Sequence, residues 1–223
     1  MTQIATRLAR LRTRMAETGT DLLALGPGAH MHWLAGFTPH ADERPCLMMI
    51  GADNAGFLRP TLNTAGAGQH SDLPFWEWSD DAGPVAALDR ALRTLGYPAR
   101  TAVDEAMRAD FALLLLRAVP DTAQAFASET VGYLRMRKHA AEIAALHDNA
   151  RIADLAQTAL RAVLRPGITE AELAEVARAA FRGAGAVPEF TIVGGRWQRG
   201  LSAPPPRHHR RAARWCHRGR YRR

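Results

Sequence analysis

Asp21-Leu22-Leu23-Ala24-Leu25-Gly26-Pro27-Gly28 decides how the chain is read. A short, uninterrupted apolar run closed by Gly-Pro-Gly is the pattern of a buried strand ending in a turn. A buried strand needs elements packed on it, and the flanks supply candidates. Upstream, Ile4, Leu8, Leu11 and Met15 share one helical face, with Arg7, Arg10, Arg12 and Arg14 largely elsewhere and Gly19 at the stop. Downstream, Ala29 to Leu34 has room for one or two helical turns. Cys46 to Ile50 and Gly56 to Arg59 flank the turn formers Gly51-Ala52-Asp53-Asn54, which predicts a hairpin.

Further along, the segment from Asn63 to Gly83 shows no clear period and reads as loop around a short strand. Pro84 opens a helix through Val85, Leu88, Leu92 and Leu95, and Gly96 closes it. Arg100 to Val103 reads as a strand, Ala109 to Leu116 as a helix, and Thr122 to Phe126 as a last strand. Strands alternating with helices predict an α/β domain with a mixed, partly parallel sheet over residues 1–128.

After Ser128 the text becomes Ala-rich. Ile143, Leu146, Ala150, Ala153, Leu160 and Val163 recur at helical spacing between about His139 and Leu164. Arg165-Pro166-Gly167 interrupts the helix. Thr169 with Glu172 three residues on is a capping box, followed by the buried face Leu173, Val176, Ala180 and Phe181. Gly183 and Gly185 end that helix, and Phe190-Thr191-Ile192-Val193 reads as a strand. No internal repeat of solenoid length is present.

The chain has 223 residues, 47% of them apolar, enough for one large core or two modest ones. Neither a membrane-length apolar run nor a secretory leader pattern is visible, and Cys46 and Cys216 are too few for a disulfide framework. A cytoplasmic location is expected. The net charge of +7 is concentrated at one end. Residues 195–223 hold ten Arg and no acidic residue, which leaves 29 − 10 = 19 basic against 22 acidic side chains in the rest. The body is mildly acidic, so the charge implies only nonspecific nucleic-acid binding through the tail.

The strip Tyr133-Leu134-Arg135-Met136-Arg137-Lys138-His139-Ala140-Ala141-Glu142-Ile143-Ala144-Ala145-Leu146 resembles the junction between the N-terminal and catalytic domains of pita-bread metallopeptidases, the creatinase, Xaa-Pro aminopeptidase and proline dipeptidase family. Arg165-Pro166-Gly167-Ile168-Thr169-Glu170-Ala171-Glu172-Leu173 resembles the turn between the first two catalytic-domain helices, and Gly185-Ala186 through Phe190-Thr191-Ile192-Val193 the first catalytic strand. Arg7-Leu8-Ala9-Arg10-Leu11, Asp21 to Leu25 and Trp33-Leu34-Ala35-Gly36-Phe37 are similar to the opening of the creatinase N-terminal domain. The order of these landmarks implies a creatinase-like N-terminal domain over 1–128, the first helices and strand of an incomplete α+β pita-bread domain over 129–194, and a basic tail over 195–223.

The resemblance further implies an amide hydrolase in which two divalent ions, manganese, cobalt or zinc, activate a bridging hydroxide. The substrate would be an Xaa-Pro peptide, with creatine-like and other small amides left open, and the complete form would be a homodimer. Such metals prefer oxygen ligands, yet no acidic residue follows Glu189. The family's first metal-binding Asp would lie a few dozen residues beyond Val193, so no position here matches it. No bound metal and no catalytic residue are therefore expected of this chain, and it is expected to be inactive alone.

A frameshift would explain the tail. Trp197 has the single codon TGG, and a one-base shift turns it into Gly followed by Asn or Ser. The codons of Ser202, Ala203 and Pro204 then permit Pro-His-His, and those of Arg220, Tyr221 and Arg222 permit Asp-Ile-Gly, which resemble the family's next motifs. The competing readings of the tail are a nucleic-acid arm built on Arg207, Arg210, Arg211, Arg214, Arg218, Arg220, Arg222 and Arg223 with Trp197, Trp215 and Tyr221, and zinc ligation by His208, His209, Cys216 and His217. Disorder is the expectation there.

Elsewhere, His70-Ser71-Asp72 has the residue types of a triad, but adjacent residues do not converge on one point, so a loop is expected. His147-Asp148 points two ways around a helix and reads as a solvated face. In the loop His40 to Arg44, Arg44 is the candidate substrate contact, through its carboxylate-matching fork, against the reading of an ordinary surface charge. The non-enzymatic alternative is that the N-terminal domain serves as a dimerisation or interaction module.

Overall fold

The computed structural model of the protein describes residues 3–63 and 72–194. They belong to two compact units, Met1–Arg137 and Lys138–Arg223. The sequence-predicted tail, with its zinc and nucleic-acid readings, and His70 and Ser71 lie outside the described residues.

In the first unit α1 (Gln3–Thr18) is followed by β1 (Leu22–Leu25), α2 (Ala29–Ala35), the hairpin β2 (Leu47–Ile50) and β3 (Ala55–Pro60), then β4 (Phe75–Trp78). Next come α3 (Val85–Leu95), β5 (Arg100–Val103), α4 (Ala109–Ala118), β6 (Ala123–Phe126) and α5 (Val131–Met136). The six strands form one mixed sheet in the order β4-β3-β2-β1-β5-β6.

β1 is apolar throughout because both faces of the sheet are covered. Leu23 and Leu25 join Met48, Ile50 and Phe57 in a core under α1, α2 and α5, to which Leu8, Leu11, Met15, Met31, Leu34, Val131 and Leu134 contribute. Leu22 and Ala24 face the other way with Leu47, Met49, Leu58, Trp76 and Trp78, against Leu88, Leu92, Phe111 and Leu115 of α3 and α4. Alternate residues of a strand therefore feed opposite cores, and each fully buried Leu or Phe contributes about 1.5–3 kcal/mol. Gly56 has a specific reason to be small: a Cβ there would lie 2.7 Å from Pro74 O and from the ring of Trp76. The close approach of β4 to β3 depends on that missing carbon.

β1 pairs antiparallel with β2 and β2 antiparallel with β3, whereas β3–β4, β1–β5 and β5–β6 are parallel. β2 alone therefore runs against the other five strands. Their carboxyl ends, with the entry to β2, share one end of the sheet.

The second unit contains α6 (Ala140–Val163) and α7 (Glu170–Gly183). The Thr169 box forms as read: the Glu172 N–H donates to Thr169 Oγ1 at 3.1 Å, and the Thr169 N–H to Glu172 Oε2 at 2.7 Å. A second box opens α6, where the Glu142 N–H donates to His139 Nδ1 at 3.4 Å and the His139 N–H to Glu142 Oε2 at 3.0 Å. Leu160, Ile168, Leu173, Ala174, Ala177 and Val193 form its core.

Phe190 to Val193 is not a strand. The described residues of this unit include no strand to pair with it, and an extended segment without a ladder leaves its backbone to water. Its apolar character is used differently, since Val193 buries its side chain in the helical core.

Candidate functional site

Open α/β sheets present loops for binding at the carboxyl ends of their parallel strands. Here the turn after β1 leads to His30 on α2, the residues after β5 are Asp104 and Glu105, and the chain leaving β6 reaches Ser128 and then Arg135 on α5. These residues are far apart in sequence. The parallel registers of β1 with β5 and β5 with β6 put them side by side.

Asp104 is fixed by its backbone, whose N–H donates to Ala24 O at 3.0 Å, and its Oδ1 accepts from the Ala106 N–H at 2.9 Å. It is 4% exposed. Glu105 reaches sideways so that its Oε1 accepts the Ser128 N–H at 2.8 Å. Burial is the largest influence and pushes its carboxyl up, but hydrogen bonds at Ser128 and at its own backbone, together with the His30 ring, leave it below its ordinary value. His30 Nε2 lies 3.8 Å from Glu105 Oε2, too far for a hydrogen bond. On the opposite side of the ring, Arg135 Nη1 donates to His30 Nδ1 at 2.9 Å. Arg has no acceptor, so Nδ1 carries the lone pair and the neutral ring carries its proton on Nε2. Burial holds the imidazole below its ordinary pKa of 6.5; Asp104 and Glu105 oppose the shift and Arg135 reinforces it.

Potential ligand atoms of His30, Asp104 and Glu105 lie within 4.8 Å of one another, the one such group among the described residues. The arrangement does not fit a divalent ion. A histidine that ligates through Nε2 normally carries its proton on Nδ1 and donates it to an acceptor, and here Nδ1 faces a guanidinium. The group is a charged network tying three loops together.

At the other half of the same sheet end, Arg44 lies on the loop that enters β2. Its Nε and Nη2 donate to the two oxygens of Asp80 at 2.9 and 3.0 Å, and its Nη1 to Glu43 at 3.3 Å. The fork expected to be available for a substrate carboxylate is thus filled by one of the chain's own, which raises the Arg44 pKa and lowers that of Asp80. His40, on the same loop, is exposed.

A buried cation lies on the strand between the two that carry the Arg44–Asp80 pair. Arg59, on β3, is 3% exposed, stacks over the Phe75 ring at 3.5 Å and donates through Nη2 to Glu77 at 3.0 Å. Its Nε and Nη1 are buried without a hydrogen-bond partner. Cys46, the neighbouring residue at the entry to β2, is buried too, and desolvation pushes its thiol up to about 12 despite the nearby Arg59 charge. At ordinary pH it is a packed thiol and not a nucleophile.

The remaining sequence candidates stay apart. His147 and Asp148 are exposed on α6, and Asp148 accepts from Arg151 at 2.6 Å, an ordinary helix-surface pair. Asp72 is exposed. The His30 network was missed because its members are separated by up to 105 residues. The usable signal was positional: acidic residues directly after a strand, and a His just after the Gly-Pro-Gly that ends its parallel neighbour.

With this geometry in view, comparison with known proteins is direct. The model of the creatinase/prolidase N-terminal domain matches residues 7–137. The probable dipeptidase PepE of Mycobacterium tuberculosis is 29% identical over 196 residues, covering 85% of this chain and 52% of that protein. The chain therefore spans about half the length of the curated relatives it matches. The crystal structure of dipeptidase PepE from Mycobacterium ulcerans superposes with a TM-score of 0.83 at 27% identity, over 93% of this chain and 57% of that one. An Xaa-Pro dipeptidase from Bacillus anthracis shares the fold with a TM-score of 0.74 at 20% identity, over the same 93% and 57%. Among the described residues no helix is long and apolar enough to cross a membrane. The match over residues 7–137, together with the six-stranded mixed sheet, means that the chain belongs to the creatinase/prolidase N-terminal domain family.

Proposed function

We propose that this chain is the N-terminal portion of a dipeptidase-type hydrolase acting on Xaa-Pro or related dipeptides, and that it provides scaffold and substrate-side surface without hydrolysing peptides alone. The observation that carries this reading is coverage: 93% of the chain aligns with 57% of a dipeptidase PepE structure. The chemistry agrees. Hydrolysis by a metal-activated hydroxide needs clustered oxygen ligands, and the one described cluster directs its imidazole at a guanidinium. After Glu189 the sequence offers no carboxylate side chain.

In the complete enzyme, manganese, cobalt or zinc would supply the Lewis acidity. Arg44 is the substrate contact proposed for this part of the protein, with a peptide carboxylate exchanging for Asp80 on its guanidinium. The tail from Gly195 onward is proposed to be the product of a shifted reading frame. Two measurements test the proposal. The purified chain, assayed with a proline-containing dipeptide and each of the three metals, is expected to show no turnover; stoichiometric metal uptake with hydrolysis would overturn it. Sequencing the gene beyond codon 194 is expected to show a neighbouring frame that continues into acidic, metal-ligand text.

A further inference from the structure

We propose that His30 is an acid-sensitive latch that holds α5, the last helix of the N-terminal unit, against the carboxyl end of the sheet. The geometry sets up two states. When neutral, His30 accepts the Arg135 hydrogen bond at Nδ1, and this contact bridges α2 and α5 across 105 residues of sequence. When protonated, the ring has no lone pair to offer, places a second positive charge beside Arg135, and finds Glu105 at 3.8 Å on its other edge. Protonation therefore exchanges a contact that retains α5 for one within reach on the loop after β5.

The charged groups acting on the ring are Asp104 and Glu105 from the β5–α4 loop and Arg135 from α5. Nothing bulky separates α5 from the ring at this point: a Cβ on Gly132 would stand 3.6 Å from His30 Cε1. α5 has other attachments, since Val131 and Leu134 are buried and Tyr133 lies under Arg14 of α1 at 4.1 Å. Loss of the latch should loosen the polar end of the helix around Arg135 without unfolding the sheet. The sign follows from linkage. Burial lowers the His30 pKa on folding, so the unfolded chain takes up its proton first. The stabilisation is complete above the ordinary value of 6.5 and is lost as the pH falls from there toward the folded-state value.

Nitrogen-resolved NMR of His30 in the full chain, together with hydrogen exchange, tests this. The expected results are the Nε2–H tautomer at neutral pH, a titration midpoint below 6.5, and a several-fold loss of amide protection at Leu134 to Met136 between about pH 7.5 and about pH 5.5. His30→Gln, which cannot take up a proton, should abolish that pH dependence. Arg135→Gln should raise the His30 midpoint and Glu105→Gln should lower it; in Glu105→Gln the pH at which α5 loses protection should fall with the midpoint, a co-movement that a merely structural imidazole would not show. A midpoint at or above 6.5, or protection in α5 that varies with pH identically in the wild type and in His30→Gln, would overturn the latch. The wild-type midpoint and the joint movement of midpoint and α5 protection in Glu105→Gln decide the question even if His30→Gln does not fold.

Discussion

The two units of the chain use nearly the same residue types to different ends. In the N-terminal unit every β1 residue is buried, because helices lie on both sheet faces and each alternate side chain has a core to enter. In the helical unit α7 buries Leu173, Ala174, Ala177 and Phe181, whereas the long α6 has only Ala156 and Leu160 buried. Ile143, Leu146 and Leu155 remain 45%, 50% and 58% exposed. Leu146 and Leu155, nine residues apart, lie about 180° from each other around α6, so the helix exposes apolar side chains on more than one side. The first unit buries its apolar side chains more completely than the second.

Four substitutions test this difference. Phe57→Ala is expected to act most strongly, because Phe57 sits under Phe37 and Phe75 in the core of the first unit; a loss of about 3–5 kcal/mol should appear in denaturant titration followed by Trp fluorescence. A cost under about 1 kcal/mol would mean that this core is not tightly packed. Gly56→Ala comes next at about 1–3 kcal/mol, since its methyl must displace Trp76 or the backbone of Pro74. If its midpoint matches the wild type, the close β3–β4 approach is wrong.

Thr169→Ala tests the second unit and should cost about 1 kcal/mol through loss of the cap on α7, read as reduced helicity by circular dichroism. An unchanged spectrum and melting curve would argue that α7 is held by its buried face alone. Leu146→Ser should be nearly silent, within about 0.5 kcal/mol, and should improve solubility. A large destabilisation there would show that α6 is covered in solution and would erase the contrast between the two regions.

Much of the first unit was legible before its structure. Ile4, Leu8, Leu11 and Met15 were readable as one face because burial by a single neighbour imposes a helical period. The β2–β3 hairpin followed from Gly51 to Asn54, and the bounds of α3 from Pro84 and Gly96, since these residues act through local backbone geometry. The His139 box was missed because histidine is not among the usual N-cap signals. Phe190 to Val193 looked like a strand because β propensity reports an apolar, half-buried surface, and Val193 satisfies that by packing on helices.

The candidate site divides in the same way. Sequence marked Arg44 as a carboxylate-binding fork, and the structure adds that Asp80 already fills it. It did not mark His30, Asp104, Glu105 and Arg135 as partners, nor Arg59 as a buried cation over Phe75.

The amino-acid sequence by itself determined the α/β class, the helical faces, the Thr169 cap, the family and the concentration of positive charge in the tail, since each is written in neighbouring residues or in their period. Tertiary structure alone decided the strand order β4-β3-β2-β1-β5-β6, the need for glycine at position 56 and the meeting of His30 with Arg135. The reason is range. A cap or a turn is settled by atoms a few residues apart, whereas a contact between loops on different strands exists only after the sheet has chosen its registers.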